Sequence, residues 1–221
     1  FNLEWSSSES DDFRGAAWGD WDDDGDLDIA AAGGAGFLRV YSNVGSLSFP
    51  LEWFSAGGEN TVGADWGDYD MDGRPDILAA AGSNSPNLIF RNAGGGSFVS
   101  AWSSSESDSS SRAFWFDYDA DGDADQVVAN DSSADRIYSN SGGSFPLAWS
   151  SSESDSSAGC AYGDYDGDGD MDFVTANSSS SGPDRVYRND GAGVFTLAWS
   201  LPDTVESFDV DFGDYDGDGD L

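Results

Sequence analysis

The chain has 221 residues, of which 38% are hydrophobic, including nine Trp, eight Tyr and fourteen Phe, enough apolar matter for one large β domain. Forty-three acids against eight bases, all of them Arg, give a formal charge of −35, which excludes nucleic acid and anionic membrane surfaces as partners. No His occurs, so Ser-His-Asp or Cys-His nucleophiles and imidazole ligands are excluded as well.

The chain opens on an aromatic-led pentad ending in Trp, FNLEW (1–5), which returns as FPLEW (49–53), FVSAW (98–102), FPLAW (145–149) and FTLAW (195–199). Each pentad is predicted to be the fourth strand of a repeat. Pro50 and Pro146 lie in two of these copies, and proline belongs on edges, so this strand is expected to be the outer edge of its sheet.

A serine-rich linker follows: WSSSESDD (5–12), WSSSESDSSSR (102–112) and WSSSESDSS (149–157), with divergent copies WFSAGGENTVG (53–63) and WSLPDTVES (199–207). One reading is a solvated connection between repeats. The other is a glycan-bearing segment, with Ser6, Ser7, Ser8, Ser103, Ser104, Ser105, Ser150, Ser151 and Ser152 as O-linked acceptors. Asn130 (Asn130-Asp131-Ser132) and Asn177 (Asn177-Ser178-Ser179) sit in N-glycan sequons.

Next comes an apolar first strand, as in Ala16-Ala17-Trp18-Gly19, running into D-x-D-x-D-G. That motif recurs at Asp20, Asp68, Asp117, Asp164 and Asp214, with spacings of 48, 49, 47 and 50 residues. A second strand leaves it at 27–32, 77–81, 127–129 and 173–176, apolar on both faces and therefore sandwiched between neighbouring sheets. The third strand is FLRVYSN (37–43), NLIFRN (87–92), DRIYSN (135–140) or DRVYRN (184–189). It ends in an Asn-x-Gly triplet that predicts a hairpin turn. One fixed period in three markers makes the chain a repeat array. Helix signals are absent. The expected fold is all-β, a β-propeller-type array of four-stranded antiparallel blades. It forms one repeat domain over 1–221, with five repeats of about 48 residues starting near 1, 49, 98, 145 and 195. Both ends are incomplete, giving 18 expected strands.

The aspartate loops carry the chemistry. Carboxylates at loop positions 1, 3, 5 and 9 and the backbone carbonyl at position 7 converge as hard oxygen donors, and Gly at position 6 permits the sharp turn. In the first loop these are Asp20, Asp22, Asp24 and Asp28, with Asp26 through its carbonyl. The second has Asp68, Asp70, Asp72 and Asp76, with Arg74 through its carbonyl. Asp117, Asp119, Asp121 and Asp125 with Asp123 form the third, and Asp164, Asp166, Asp168 and Asp172 with Asp170 the fourth. A fifth (Asp214, Asp216, Asp218, with Asp220 through its carbonyl) stops before position 9. Oxygen-only anionic ligation matches Ca²⁺ and not zinc. Position 12 is Ala31, Ala79, Val128 or Thr175, which removes the Glu that an EF-hand needs.

The segment GDYDGDGDMDFVTAN (163–177), followed by RVYRNDGAGVF (185–195), resembles an FG-GAP or VCBS repeat. The resemblance spans essentially the whole chain and implies the calcium-bearing blades seen in integrin α-subunit propellers and many secreted bacterial proteins. It also implies that the loop joins the first and second strands of a blade, and that seven or so blades close a ring.

The aromatics two residues before each loop (Trp18, Trp66, Trp115, Tyr162, Phe212) recur with the period, so they are expected to pack blade on blade rather than form a carbohydrate platform. The lone Cys160, in an apolar run, is expected to be a small buried residue. With nearly every clustered Asp assigned to a loop, no catalytic carboxylate pair is left, and the chain is expected not to be an enzyme. The expected role is a calcium-stabilised extracellular or cell-surface module for adhesion, surface structure or fibre building. Its expected partners are itself, surface proteins or glycans, and it makes no direct membrane insertion. The alternative is a lectin-like or targeting propeller attached to a secreted enzyme.

Overall fold

A computed structural model describes residues 4–33, 36–178, 182–191, 193–202, 205–214, 216–217, 219 and 221. It contains sixteen strands and, among the described residues, no helix. The first blade is β1 (Phe13–Gly19), β2 (Asp28–Gly33), β3 (Phe37–Tyr41) and β4 (Leu51–Phe54). The second is β5 (Thr61–Gly67), β6 (Asp76–Ala81), β7 (Leu88–Asn92) and β8 (Phe98–Ser103). The third is β9 (Ser109–Phe116), β10 (Asp125–Asp131), β11 (Arg136–Tyr138) and β12 (Leu147–Ser150). The fourth is β13 (Ser157–Gly163), β14 (Asp172–Asn177), β15 (Arg185–Asn189) and β16 (Phe195–Ser200). Each blade is a four-stranded sheet in sequence order, its first and fourth strands at the edges. The aspartate loop joins the first two strands, as expected.

Eighteen strands were expected and sixteen form among the described residues. Glu4 and Trp5 are not in a strand, and neither are residues 205–214. A lone outer or inner strand has no ladder partner among the described residues, and an unpaired strand leaves its backbone groups to water. The expected first three residues of FNLEW lie outside the described set. Pro50 and Pro146 sit one residue before β4 and β12 rather than inside them, where their carbonyls accept the Ser42 and Ser139 amides. At the first two third-strand hairpins Gly45 (φ 77°) and Gly94 (φ 76°) are left-handed, joined in the first by Ser46 and Leu47, and the Asn of the triplet is not.

The chain divides into two compact units, Phe1–Trp115 and Phe116–Leu221. In the first, Ala30, Ala32, Leu38 and Val40 of one blade meet Ile77, Ala79, Phe90 and Phe98 of the next. Its second strands, β2 and β6, are alanine-rich and nearly solvent-free, because small side chains let neighbouring sheets approach. The pentad Trp reaches into the following blade: Trp53 lies against Phe90 and Phe98, with ring centroids 5.4 and 5.2 Å away. In the second unit Trp149 repeats this against Tyr187 and Phe195 at 5.2 and 5.4 Å.

The aromatics before each loop pack blade on blade where glycine makes room. An added Cβ on Gly19 would come within 2.6 Å of the Trp66 ring, and one on Gly67 within 2.6 Å of Trp115. Phe212 covers Gly163 in the same way. Trp18 and Tyr162 depart from the expectation, being 60% and 42% exposed. At the repeat position of the accommodating glycine, Phe116 stands instead, and Tyr162 lies tilted against it at 5.5 Å.

The serine linkers are not simple connectors. Their second Ser is buried and accepts an amide from the third-strand region of the preceding blade: Leu38 on Ser55, Asn87 on Ser104 and Asp135 on Ser151. Their acids engage the third strand of the following blade. Tyr41 donates to Glu9 at 3.0 Å and Tyr187 to Glu153 at 3.1 Å. Arg39 pairs with Asp11, and Arg185 with Asp155 at 2.6 Å. The linker therefore rivets two blades together. Burial removes Ser104 and Ser151 as accessible glycan acceptors, while Ser6, Ser8, Ser103, Ser105 and Ser152 face solvent. Asn130 and Asn177 are buried too, their side-chain amides spent on the Ala134 and Pro183 carbonyls.

Asp135 is a buried acid of the second unit that lies outside the aspartate loops. Its carboxylate accepts the Asn130 amide at 2.9 Å and the Ser157 hydroxyl at 3.0 Å. Burial outweighs both and pushes its pKa up to about 7. The equivalent residue in the second blade is Asn87, whose side-chain oxygen accepts the Ala81 amide at 2.8 Å.

Two outcomes follow. Gly19→Ala loses about 1–3 kcal/mol in urea unfolding because Trp66 must move, whereas Gly213→Ala, at the same repeat position with nothing within 4 Å, changes stability by less than about 0.5 kcal/mol. For Asp135, an unfolded carboxyl titrates near 4, roughly three units below the folded group, so its stabilising proton is fully present below that value and lost as pH rises through about 7. Asp135→Asn removes this loss, and its urea midpoint gains on the wild type between pH values of about 4 and 7; parallel midpoint curves would refute the assignment.

Candidate metal centre

Each loop is shaped by its own carboxylates before any cation is considered. The position-1 Asp caps the turn: Asp20 accepts the amides of Asp24 and Gly25 at 3.1 and 2.9 Å. Asp68, Asp117 and Asp164 accept the corresponding pairs at 2.8–3.1 Å. Two residues per loop are left-handed. Gly fills position 6, with φ of 87–96° in the four complete loops. Position 4 is Asp23, Met71, Ala120 or Gly167, with φ of 55–74°. Sequence reading identified the first of these and missed the second, whose signal was the extra glycine of Asp166-Gly167.

Position 2 is a buried aromatic, Trp21, Tyr69 or Tyr118, with Tyr165 half-buried. It anchors the loop to the core, and its amide donates to the position-9 carboxylate. That carboxylate also accepts the amide of the third-strand Asn: Asn43 to Asp28 at 2.6 Å, Asn92 to Asp76 at 2.7 Å, Asn140 to Asp125 at 2.6 Å and Asn189 to Asp172 at 2.9 Å. The same Asn side chains donate to the carbonyls of Leu27, Pro75, Ala124 and Met171. This Asn is the functional residue that sequence reading assigned only to a turn.

The outcome is four like-charged triads, with one carboxylate oxygen of each member within 4.8 Å of the others: Asp20, Asp22 and Asp28; Asp68, Asp70 and Asp76; Asp117, Asp119 and Asp125; Asp164, Asp166 and Asp172. Expected ligands at positions 1, 3 and 9 are thus brought together. The position-5 carboxylates of Asp24, Asp72, Asp121 and Asp168 are not part of the triads; they accept the amides of Asp26, Arg74, Asp123 and Asp170 at 2.9–3.1 Å. In the fifth loop Asp214 caps Gly217 and Gly219 at 2.6 and 2.9 Å, as Asp164 caps Gly167 and Gly169, and Asp216 is exposed. Asp218 and Asp220 lie outside the described residues.

Burial raises the pKa of the position-9 carboxyls against the pull of their two amide donors, and neighbouring acids add to it; Asp76 and Asp125 reach about 7. Asp28 and Asp172 move in the same direction for the same first cause. Burial, with the adjacent Asp24 or Asp121, also raises Asp22 and Asp119. Converging anionic oxygens on a partly desolvated corner are a donor set for a hard cation, and they fit one.

The profile of the FG-GAP-like repeat matches residues 20–79, 71–128, 117–175 and 164–221. The chain belongs to this family. No curated protein matches it. Among solved structures, an FG-GAP-like array of this kind is similar to BBS1N in complex with ARL6DN, soaked with lead (12% identity, TM-score 0.61, 92% of this chain and 60% of that one). It is similar also to Saccharomyces cerevisiae Sqt1 (12%, 0.63, 88% and 49%). A third is an Agrocybe aegerita lectin specific for non-reducing terminal N-acetylglucosamine (22%, 0.52, 85% and 52%). The chain therefore spans between 49% and 60% of the solved chains it matches. At these identities the likeness is one of fold.

The FG-GAP-like loop separates two roles by position. Asp70→Asn, at position 3, weakens cation binding to the second loop about tenfold or more and leaves the chelated protein's unfolding curve in place. Asp76→Ala strands the buried Tyr69 and Asn92 amides and costs roughly 2–4 kcal/mol even in chelator. Isothermal titration and urea unfolding, each with and without chelator, check both.

Proposed function

We propose that the chain is a non-catalytic, calcium-stabilised FG-GAP-like scaffold that works outside the cell, in adhesion or in surface or fibre structure. The observation that carries this reading is the fourfold recurrence of one three-carboxylate corner, in the same place on every blade. Catalytic sites break repeat symmetry, and a structural element keeps it.

Asp20, Asp22 and Asp28 and their counterparts would hold Ca²⁺, with the capped loops presenting them. The ion supplies positive charge where the fold forces carboxylates together, which turns a repulsive corner into a clamp between the first and third strands. Millimolar calcium outside cells suits loops of this type. Among the described residues no helix is long and apolar enough to cross a membrane. The names of two solved neighbours, a protein-bound chain and a sugar-recognising lectin, support display of a binding surface rather than turnover.

The test is a thermal melt with calcium and with EGTA at neutral pH. At about ten times the dissociation constant each site adds about 1.4 kcal/mol, so four contribute on the order of 5–6 kcal/mol, comparable to the stability of a whole domain. The midpoint is expected to fall steeply in EGTA and to return with calcium but not with an equal charge of sodium. An unchanged midpoint would remove calcium from the account.

A further inference from the structure

The second blade breaks a rule that the first and fourth obey. Nine residues before the first loop Asp the linker carries an acid in the first four repeats: Asp11, Glu59, Asp108 and Asp155. In the first blade Asp11 pairs with Arg39, whose guanidinium lies over the Phe37 ring at 5.1 Å. In the fourth, Arg185 donates to Asp155 through Nε and Nη2 at 2.9 and 2.6 Å. Strand register places these residues identically, Arg39 opposite Ala31 and Arg185 opposite Thr175. The residue opposite Ala79 in the second blade is Leu88.

The acid is kept and its cation is gone. Glu59 accepts the Ser55 hydroxyl at 3.0 Å, and no cationic side chain among the described residues pairs with it. The two linker-facing neighbours are smaller or less polar as well: Gly57 stands where the other blades have Glu9 and Glu153, and Phe90 where they have Tyr41 and Tyr187. A cavity of about 530 Å³ lies there, lined by Glu59, Leu88, Trp53, Phe54, Phe90 and neighbouring groups, all within the first compact unit. Phe54 is 56% exposed, so the cavity has a wall open to solvent.

We propose that this cavity binds the guanidinium of an arginine side chain presented by a partner protein, in the place that Arg39 and Arg185 fill within their own blades. Aromatic walls and one carboxylate recognise a flat, weakly hydrated cation better than an ammonium or a neutral group. The formal charge of −35 draws basic partners toward the surface. The inference names a partner chemistry for the scaffold but rests on Glu59 and Leu88, not on the metal loops.

The experiment titrates N-acetyl-arginine methylamide, with its uncharged isostere N-acetyl-citrulline methylamide, into protein held in saturating calcium. The Trp53 indole signal is followed by NMR. A saturable shift with the arginine probe is expected, with binding about tenfold weaker for the citrulline probe and for Glu59→Gln, the scale of one charge-assisted contact. Leu88→Arg should fill the cavity from within, abolish binding and raise the melting midpoint. Equal binding of the two probes, indifference to Glu59→Gln, or no saturable shift in protein that still melts at its calcium-loaded midpoint would overturn the proposal. Because that midpoint is read in the same samples, a failure of the calcium reading is seen separately.

Discussion

The position-9 aspartate is the constraint on which each blade depends. One oxygen takes the amide of the loop's buried aromatic and the other takes the amide of the third-strand Asn. It thereby fixes where the first strand turns, how the loop meets the core and where the third strand ends. Burying that carboxylate is unfavourable, as its raised pKa in the second and third blades records. The fold accepts this cost because two backbone amides would otherwise be orphaned at the same corner. A cation held beside the same group would offset the remainder, so the structural role of Asp28, Asp76, Asp125 and Asp172 and the proposed metal-binding one would support one another.

Around that corner the other devices are local and repeated. The position-1 carboxylate caps the turn, the position-6 glycine lets it close, and the pentad Trp locks the following blade. Glycines before the loop accept the next aromatic because any Cβ would collide with it. The array is thus a chain of nearest-neighbour contracts, in which each blade's stability is shared with the one beside it.

Much of this was legible in the sequence. The period, the loop's place between the first two strands and the edge position of the fourth strand follow from motif spacing and from where Gly, Pro and alternating apolar residues fall. The rest depends on partners far apart along the chain. Asn189 and Asp172 are 17 residues apart, and Arg185 and Asp155 are 30; nothing in local periodicity announces either pair. Ser104 and Ser151 looked like members of solvated serine runs, but alternation along an extended linker turns every second residue inward. Asn130 and Asn177 matched a sequon, yet each side-chain amide closes its own strand end. One long-range rule was readable in principle: where the linker has Glu-Ser-Asp the third strand has Arg-x-Tyr, and where the linker has Gly57 and Glu59 it has Leu-x-Phe.

The linker rivets also fix where one structural unit ends and the next begins. A linker's serine serves the blade behind it and its acids serve the blade ahead. The unit that holds its own contacts therefore runs from the acidic half of one linker to the same point in the next. It does not run from one pentad or one loop to its counterpart. Removing the Asp155 carboxylate alone would leave the largely buried Arg185 guanidinium unpaired, an error of roughly 3–5 kcal/mol. The true joint between blades is therefore the middle of the serine tract, where contacts to the blade behind give way to contacts to the blade ahead.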